Sequence, residues 1–298
     1  MNKLMTVVAA SVCAVSFSAA AFADADVPAT NNKANAEALE EEEDQVFEAG
    51  LDLDLFSAYV WRNVVQTDKP VFQPCVWADL TCFDPFWIGF SYWQNWDFSD
   101  DRRGGDGGFK RRLNESDYNI HVGVTVWENE DEDMSLEFEG GHEWYTYHFC
   151  GDAPSTRELY LKGTFTNPLV NIYGQVSWLY DDNKVVEIDS GFYYEIGFNK
   201  EFELCDELTL GLDWNVGMAD GDYNAFITGV DKAGFLGTTL KAYLSWAVTD
   251  WMSIVGTIAY SGLLDRDIRH DCNVGEDSWI PREDKDILWG GISAKFAF

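Results

Sequence analysis

From Gly50 to its end the chain alternates apolar and polar residues with period two, a spacing of β-strands rather than helices. Segments of this kind fall near residues 50–61, 70–81, 86–98, 118–128, 134–149, 156–166, 169–180, 191–204, 208–219, 233–248, 252–264 and 285–298. The connections alternate as well. CFDP, NEDED, NP, CDE and TDW are short, and the intervening ones are mostly longer. Short turns on one side and longer loops on the other suit a closed barrel, whereas a two-sheet sandwich has no reason to show that asymmetry. The pattern predicts an all-β fold: a transmembrane antiparallel β-barrel of about twelve strands, with ten or fourteen as alternatives.

One face is apolar in nearly every segment. Tyr118, Ile120, Val122, Val124 and Val126 oppose Asn119, His121, Gly123 and Thr125, and Leu208, Leu210, Leu212, Trp214 and Val216 oppose Thr209, Gly211, Asp213 and Asn215. In a barrel the first set meets lipid and the second lines the lumen. Aromatics on the apolar face gather near strand ends. Tyr59, Trp61, Trp96, Phe98, Trp178 and Tyr180 fall at the expected outer rim, and Phe202, Trp246, Phe296 and Phe298 at the inner one. That is the girdle pattern of two membrane interfaces.

The two ends of the chain add a compartment. Residues 1–23 have a charged start, an apolar middle and Ala21-Phe22-Ala23, the form of a cleaved secretory signal peptide. Residues 24–48 lack periodicity and carry the acidic run Glu40–Asp44, which reads as a solvated periplasmic tail. Residues 49–298 are left for the barrel, and no later apolar run approaches the roughly 18 residues of a membrane helix. The sequence closes on GGISAKFAF. A last strand stopping on Phe296 and Phe298 resembles the recognition signal of bacterial outer-membrane barrels. That resemblance implies the barrel assembly machinery as a partner, the Gram-negative outer membrane as location, and its lipids and lipopolysaccharide as surroundings.

The inward face carries Asp52, Asp54, Asp79, Asp97, Glu137, Glu139, Glu143, Glu158, Glu195, Glu201, Glu203 and Asp213, against Lys162, Lys241 and Lys295. If the fifth and sixth segments pair through the loop at 150–155, Glu143 lies about opposite Lys162. The other acids lack obvious strand-borne partners and need water, because a dry carboxylate is costly. A wet acidic lumen concentrates cations. The expectation is a passive pore for small, preferentially cationic solutes. A non-conducting structural or surface-interaction barrel, its carboxylates solvating a narrow or loop-plugged interior, is the alternative, and an outer-membrane hydrolase comes third.

The external loop at 99–117 holds the basic cluster Arg102, Arg103, Lys110, Arg111 and Arg112. Three readings are open: it folds into the acidic lumen as a constriction, meets lipopolysaccharide phosphates, which pair well with arginine, or is an ordinary solvated loop. With a formal net charge of −32 no nucleic-acid partner is expected. Cys75, Cys82, Cys150, Cys205 and Cys272 remain after signal removal, an odd number. Cys150 and Cys272, both in external loops, could bridge, and Cys75 with Cys82 is a local option. No spacing resembles a zinc site, and Asp100, Asp101 and Asp106 lack the regularity of a calcium loop, so neither metal nor cofactor is expected. His142 and His148 share the lipid-side parity and His121 faces the lumen near Glu139 and Glu143. A lone histidine in a polar lumen is usually a lining residue, and no catalytic residues are expected.

The first strand and loop read LDLFSAYVWRNVVQTDKPVFQP. Ser57, Tyr59-Val60-Trp61-Arg62, Gln66-Thr67-Asp68, Pro70 and Gln73 resemble the start of the TorF-type porin family of Gram-negative bacteria, where a strand ending in Y-V-[FW]-R precedes a short Q-[ST]-D-x-x-P-like loop. Asn63 stands where a glycine is usual, and the extra residue before the proline is missing. The resemblance covers about two dozen residues. It implies a porin-like outer-membrane protein of undefined substrate and carries no catalytic residues. By strand position Arg62 is expected at the outer rim beyond Tyr59 and Trp61, pairing with Asp68 to pin the first loop; reaching lipid phosphates, or being an interface arginine without special function, are the alternatives.

Overall fold

The structure is a computed structural model that describes residues 47–83, 85–98, 112–129, 132–148, 155–180, 190–272 and 285–298. The strands are β1 (Phe47–Phe56), β2 (Tyr59–Trp61), β3 (Val64–Thr67), β4 (Val71–Phe83), β5 (Phe86–Asp97), β6 (Arg112–Asn129), β7 (Met134–Tyr147), β8 (Ser155–Thr166), β9 (Asn171–Tyr180), β10 (Gly191–Cys205), β11 (Leu208–Ala219), β12 (Gly234–Thr249), β13 (Met252–Leu263) and β14 (Asp286–Ala297). Two short helices, α1 (Gly221–Thr228) and α2 (Arg266–Asp271), lie between β11 and β12 and between β13 and β14. Twelve strands close into one antiparallel barrel, each bonded to its sequence neighbour, with β1 meeting both β4 and β14. The remaining pair, β2 and β3, is a separate two-stranded sheet.

The seam shows how the two ends of the sequence complete the wall. Gly50 faces Ala297 and the ladder continues to Phe56 opposite Gly291. The Phe298 amide donates to the Ala49 carbonyl at 2.9 Å, so the terminal aromatic is tied to the first strand. Closure matters because lipid supplies no partner for an unpaired edge. The wall strands run from 10 to 18 residues, enough for a tilted strand to cross the hydrocarbon layer. No helix among the described residues is long and apolar enough to do so.

The exterior is apolar at the positions a membrane requires. Val122, Leu161 and Ile258 are each more than half exposed. Trp178 stacks on Tyr180 near the long-loop end, and Trp251 stacks on Phe296 and Phe298 at the short-turn end. Inside, aromatic rings lie flat across the ladder. Tyr160, Tyr173 and Tyr243 cover Gly141, Gly197 and Gly211, where any side chain would collide with the ring.

Two boundaries differ from the periodicity. β6 starts at Arg112 rather than 118, so the barrel wall takes six residues from the expected external loop. β1 stops at Phe56, and the chain then turns into the barrel. Tyr59 and Trp61 are therefore not rim aromatics. They are 4% and 6% exposed, inside the molecule.

Candidate functional site in the barrel lumen

The inward turn begins at Ser57, whose amide donates to the Gly290 carbonyl while its hydroxyl accepts from the Gly290 amide. β2 and β3 then form a hairpin with Arg62 and Asn63 at its tip, both at positive φ (51° and 66°). Two left-handed residues between antiparallel strands make the turn that matches strand twist. Asparagine tolerates that conformation, whereas arginine there costs on the order of 1 kcal/mol. Surroundings must supply it. Ala58 through Val65 are all buried, and Trp61 packs against Tyr145, Tyr223 and Phe226. Tyr59 packs against Trp93 and donates to Glu115 Oε2 at 3.0 Å.

The wall is shaped to receive these pieces. A Cβ on Gly237 would lie 2.6 Å from that of Asn63, so only glycine lets the hairpin tip reach β12. A Cβ on Gly191 would lie 2.4 Å from the Tyr223 amide, which is how α1 comes against β10. Asp220 caps α1 by accepting from the Tyr223 amide, and the helix delivers Tyr223 and Ile227 to the same core.

At the tip, Arg62 Nη2 donates to Glu158 Oε1 at 2.7 Å and to Ser177 Oγ at 3.3 Å. Its guanidinium lies 4.3 Å from the centre of the Tyr193 ring, and its Nε has no partner. Asn63 accepts from Thr239 Oγ1 at 2.6 Å. Expected rim pairing of Arg62 with Asp68 is thus corrected: the hairpin carries Arg62 into the lumen, and Asp68 accepts from neighbouring Lys69 instead. Gln66 donates within the hairpin to the Val64 carbonyl, and the Pro70 carbonyl accepts from the Phe98 amide.

Glu143 does not face Lys162 either. The β7–β8 ladder ends with Thr146 opposite Ser155, earlier on β7 than expected, so the register shifts and Glu143 pairs with Glu158 and Glu139 with Lys162. Glu143 and Glu158 are fully buried, as is Asp117, and Glu115 is nearly so. Tyr145 donates to Glu143 Oε2 at 3.0 Å and Tyr223 to Glu158 Oε2 at 3.4 Å. This level of the interior is packed rather than wet, contrary to the uniform solvated lumen that the acid count implied.

Elsewhere in the lumen the carboxylates have strand-borne partners after all. Many of these are tyrosine hydroxyls. Tyr160 donates to Glu139 at 2.7 Å, Tyr173 and Tyr193 to the two oxygens of Glu195, and Tyr243 to Glu201 at 2.6 Å. Lys241 lies 3.3 Å from Asp213 and Lys295 lies 3.6 Å from Asp52. Lys162 sits over the Tyr173 ring at 5.0 Å. Asp54 faces Ser293 across the seam, and Glu137 faces Thr164. Glu203 is exposed toward the short-turn end, and Asp97 closes β5 at the other. His121 lies between Asp79 (3.2 Å) and Asn119 (2.8 Å). The signal that would have found the tyrosines was present: Tyr160 and Tyr193 share the inward parity of Glu158 and Glu195 on their own strands, and Tyr243 that of Lys241.

At the long-loop end of the barrel, Lys232 holds both oxygens of Asp265 at 2.8 and 2.9 Å and Asp267 at 2.7 Å. These hydrogen bonds raise the Lys232 pKa, and Lys232 in turn lowers that of Asp265. The clasp joins the segment after α1 to the start of α2.

Several expectations fall elsewhere. Arg102, Arg103, Lys110, Arg111 and Cys150 lie outside the described residues, as do the leader and most of the acidic tail, while Arg112 opens β6. Cys272 is buried at the end of α2. Cys75 is a free, buried thiol, so the local bridge to Cys82 is not formed. No group of His, Cys, Asp and Glu among the described residues is arranged to hold a metal ion. His148 Nε2 lies 2.9 Å from Ser116 Oγ, and Ser116 is only 3% exposed.

No protein-family model matches the sequence, and no curated protein matches it. Solved structures with a similar arrangement include an active-site mutant of outer membrane phospholipase A from Escherichia coli, at 11% identity over 88% of this chain and 96% of that one, TM-score 0.47. The NanC porin is 8% identical over 83% of this chain and 98% of that one, TM-score 0.47. OmpT, an outer membrane protein of Vibrio cholerae, is 10% identical over 85% and 96%, TM-score 0.39. The barrel architecture rests on this chain's own closed ladder, and its chemistry on its own side chains.

Proposed function

We propose that the protein is a porin-like channel of the Gram-negative outer membrane, passing small, preferentially cationic solutes through a lumen stoppered by its own first loop. The observation that carries this reading is the contrast in how wall and stopper are held. The wall is an unbroken ladder, while the hairpin shares no strand ladder with it and docks through side chains. A plug of that kind can leave without opening the barrel. The lining it uncovers carries more carboxylates than lysines, which favours cations by its potential.

The test is reversal potential in a potassium chloride gradient across planar bilayers, for the whole protein and for a barrel whose residues 59–67 are replaced by a short Gly-Ser link. Cation-directed reversal supports the reading, and anion preference removes it. A second reading, a non-conducting structural barrel, is favoured by the packed core around Trp61, Tyr145 and Tyr223. Silence of the folded, hairpin-free barrel would establish it.

A further inference from the structure

The surroundings of Arg62 have the parts of a cation-recognition site, and all of them belong to the wall. Glu158 on β8 supplies a carboxylate, Ser177 on β9 a hydroxyl, and Tyr193 on β10 an aromatic face. Glu143, directly across the ladder from Glu158, adds a second carboxylate with one oxygen unpartnered. Carboxylate, hydroxyl and ring face together are what a planar guanidinium selects. The occupant is a side chain of a loop with no ladder to that wall. The site therefore outlasts its occupant.

Arg62 also fits it incompletely. One of its terminal nitrogens does the bonding, Nε has no partner, and its backbone is held at positive φ. A detached guanidinium has no backbone to restrain it and can turn to meet both carboxylates as a fork. The buried charges point the same way. Glu115, Asp117, Glu143 and Glu158 are all buried, and Arg62 brings a positive charge among them by its bond to Glu158.

We infer that this is a binding site for guanidinium-bearing solutes, which the hairpin fills with its own arginine until a solute competes for it. The inference takes its physiological sense from the channel reading, since it names the class of solute admitted and what displaces the stopper. Binding itself can be measured without conduction.

The experiment uses Arg62→Ala in detergent micelles, titrated with methylguanidinium and with N-methylurea, its neutral counterpart. Arg62→Ala is expected to melt below the parent, and millimolar methylguanidinium to restore at least half of the lost Tm while N-methylurea restores none. Adding Glu158→Gln is expected to weaken methylguanidinium binding at least tenfold. Should Arg62→Ala not fold, the barrel lacking residues 59–67 presents the same wall and takes the same titration. Equal responses to both probes, or none in a folded variant, overturn the inference. A barrel that binds methylguanidinium but never conducts sinks the channel reading and leaves the site; one that conducts cations without binding does the reverse.

Discussion

Two of the ion pairs on the lumen side are buried, and they hold different things. Lys241 and Asp213 face each other across the β11–β12 ladder, where backbone hydrogen bonds already fix the strands. Arg62 and Glu158 join a loop to the wall over 96 residues of sequence, and no ladder stands behind them. Both pairs are almost wholly withdrawn from solvent. A buried pair is costly to assemble and costlier to break on one side. In the wall that cost falls on a structure held in many other ways. At the stopper it falls on the docking of one hairpin. The same chemistry is thus a wall fitting in one place and a latch in the other.

Breaking the latch is expected to give the largest effect. Glu158→Gln leaves the Arg62 guanidinium in a packed interior without its counter-charge, a loss of about 3–5 kcal/mol in hairpin docking. It should appear as frequent openings in planar bilayers and as new protease cleavage within residues 57–70. Asp213→Asn strands Lys241 in the same way but should lower the unfolding midpoint of the whole barrel without exposing that loop. If the two variants expose the hairpin equally, the distinction between latch and wall fails.

Gly237→Val attacks the seat instead of the latch. Its side chain would occupy the space of Asn63, so the hairpin tip must lift while the β11–β12 and β12–β13 ladders persist. Overpacking of this kind costs about 1–3 kcal/mol, and hydrogen exchange at residues 59–65 should rise without a matching rise in β12. Tyr243→Phe is smaller again. It removes one hydrogen bond to Glu201, worth about 1 kcal/mol, and should change cation preference little and hairpin exchange not at all.

The external clasp should respond least, and only at extremes of pH. Asp265 lies below its ordinary 3.8 because of Lys232, so its contribution is present above that value and is lost as pH falls through the lower folded value. Lys232 lies above its ordinary 10.5 because of Asp265 and Asp267, so its contribution is present below that value and is lost as pH rises through the higher one. Limited proteolysis of residues 220–233 should therefore be flat between these limits and rise outside them. Asp265→Asn should raise it at neutral pH, modestly, since the pair is partly exposed.

Strand order and wall were legible because period-two alternation survives in every wall segment, and because one apolar face has to meet lipid all the way round. The hairpin was not, for the same reason. YVW continues the alternation of β1, so periodicity alone extends the strand to a rim that the chain never follows. The clue lay in Arg-Asn between two runs of bulky apolar residues: Val60, Val64 and Val65 have no comfortable place in a solvated loop, and a two-residue turn at Asn63 folds them against each other. The register of β7 with β8 is not legible either, because alternation leaves the length of the connection between them free. The acids' partners are hidden from a balance of acids against lysines because tyrosine hydroxyls donate to them without carrying charge.

A first loop that acts as a removable stopper makes conductance depend on its presence. The decisive measurement is the single-channel conductance of the intact protein beside that of the folded barrel lacking residues 59–67. Brief, small events are expected from the intact protein and a steady conductance on the order of tenfold larger from the hairpin-free barrel. Equal conductance in the two, or silence in both, would contradict it.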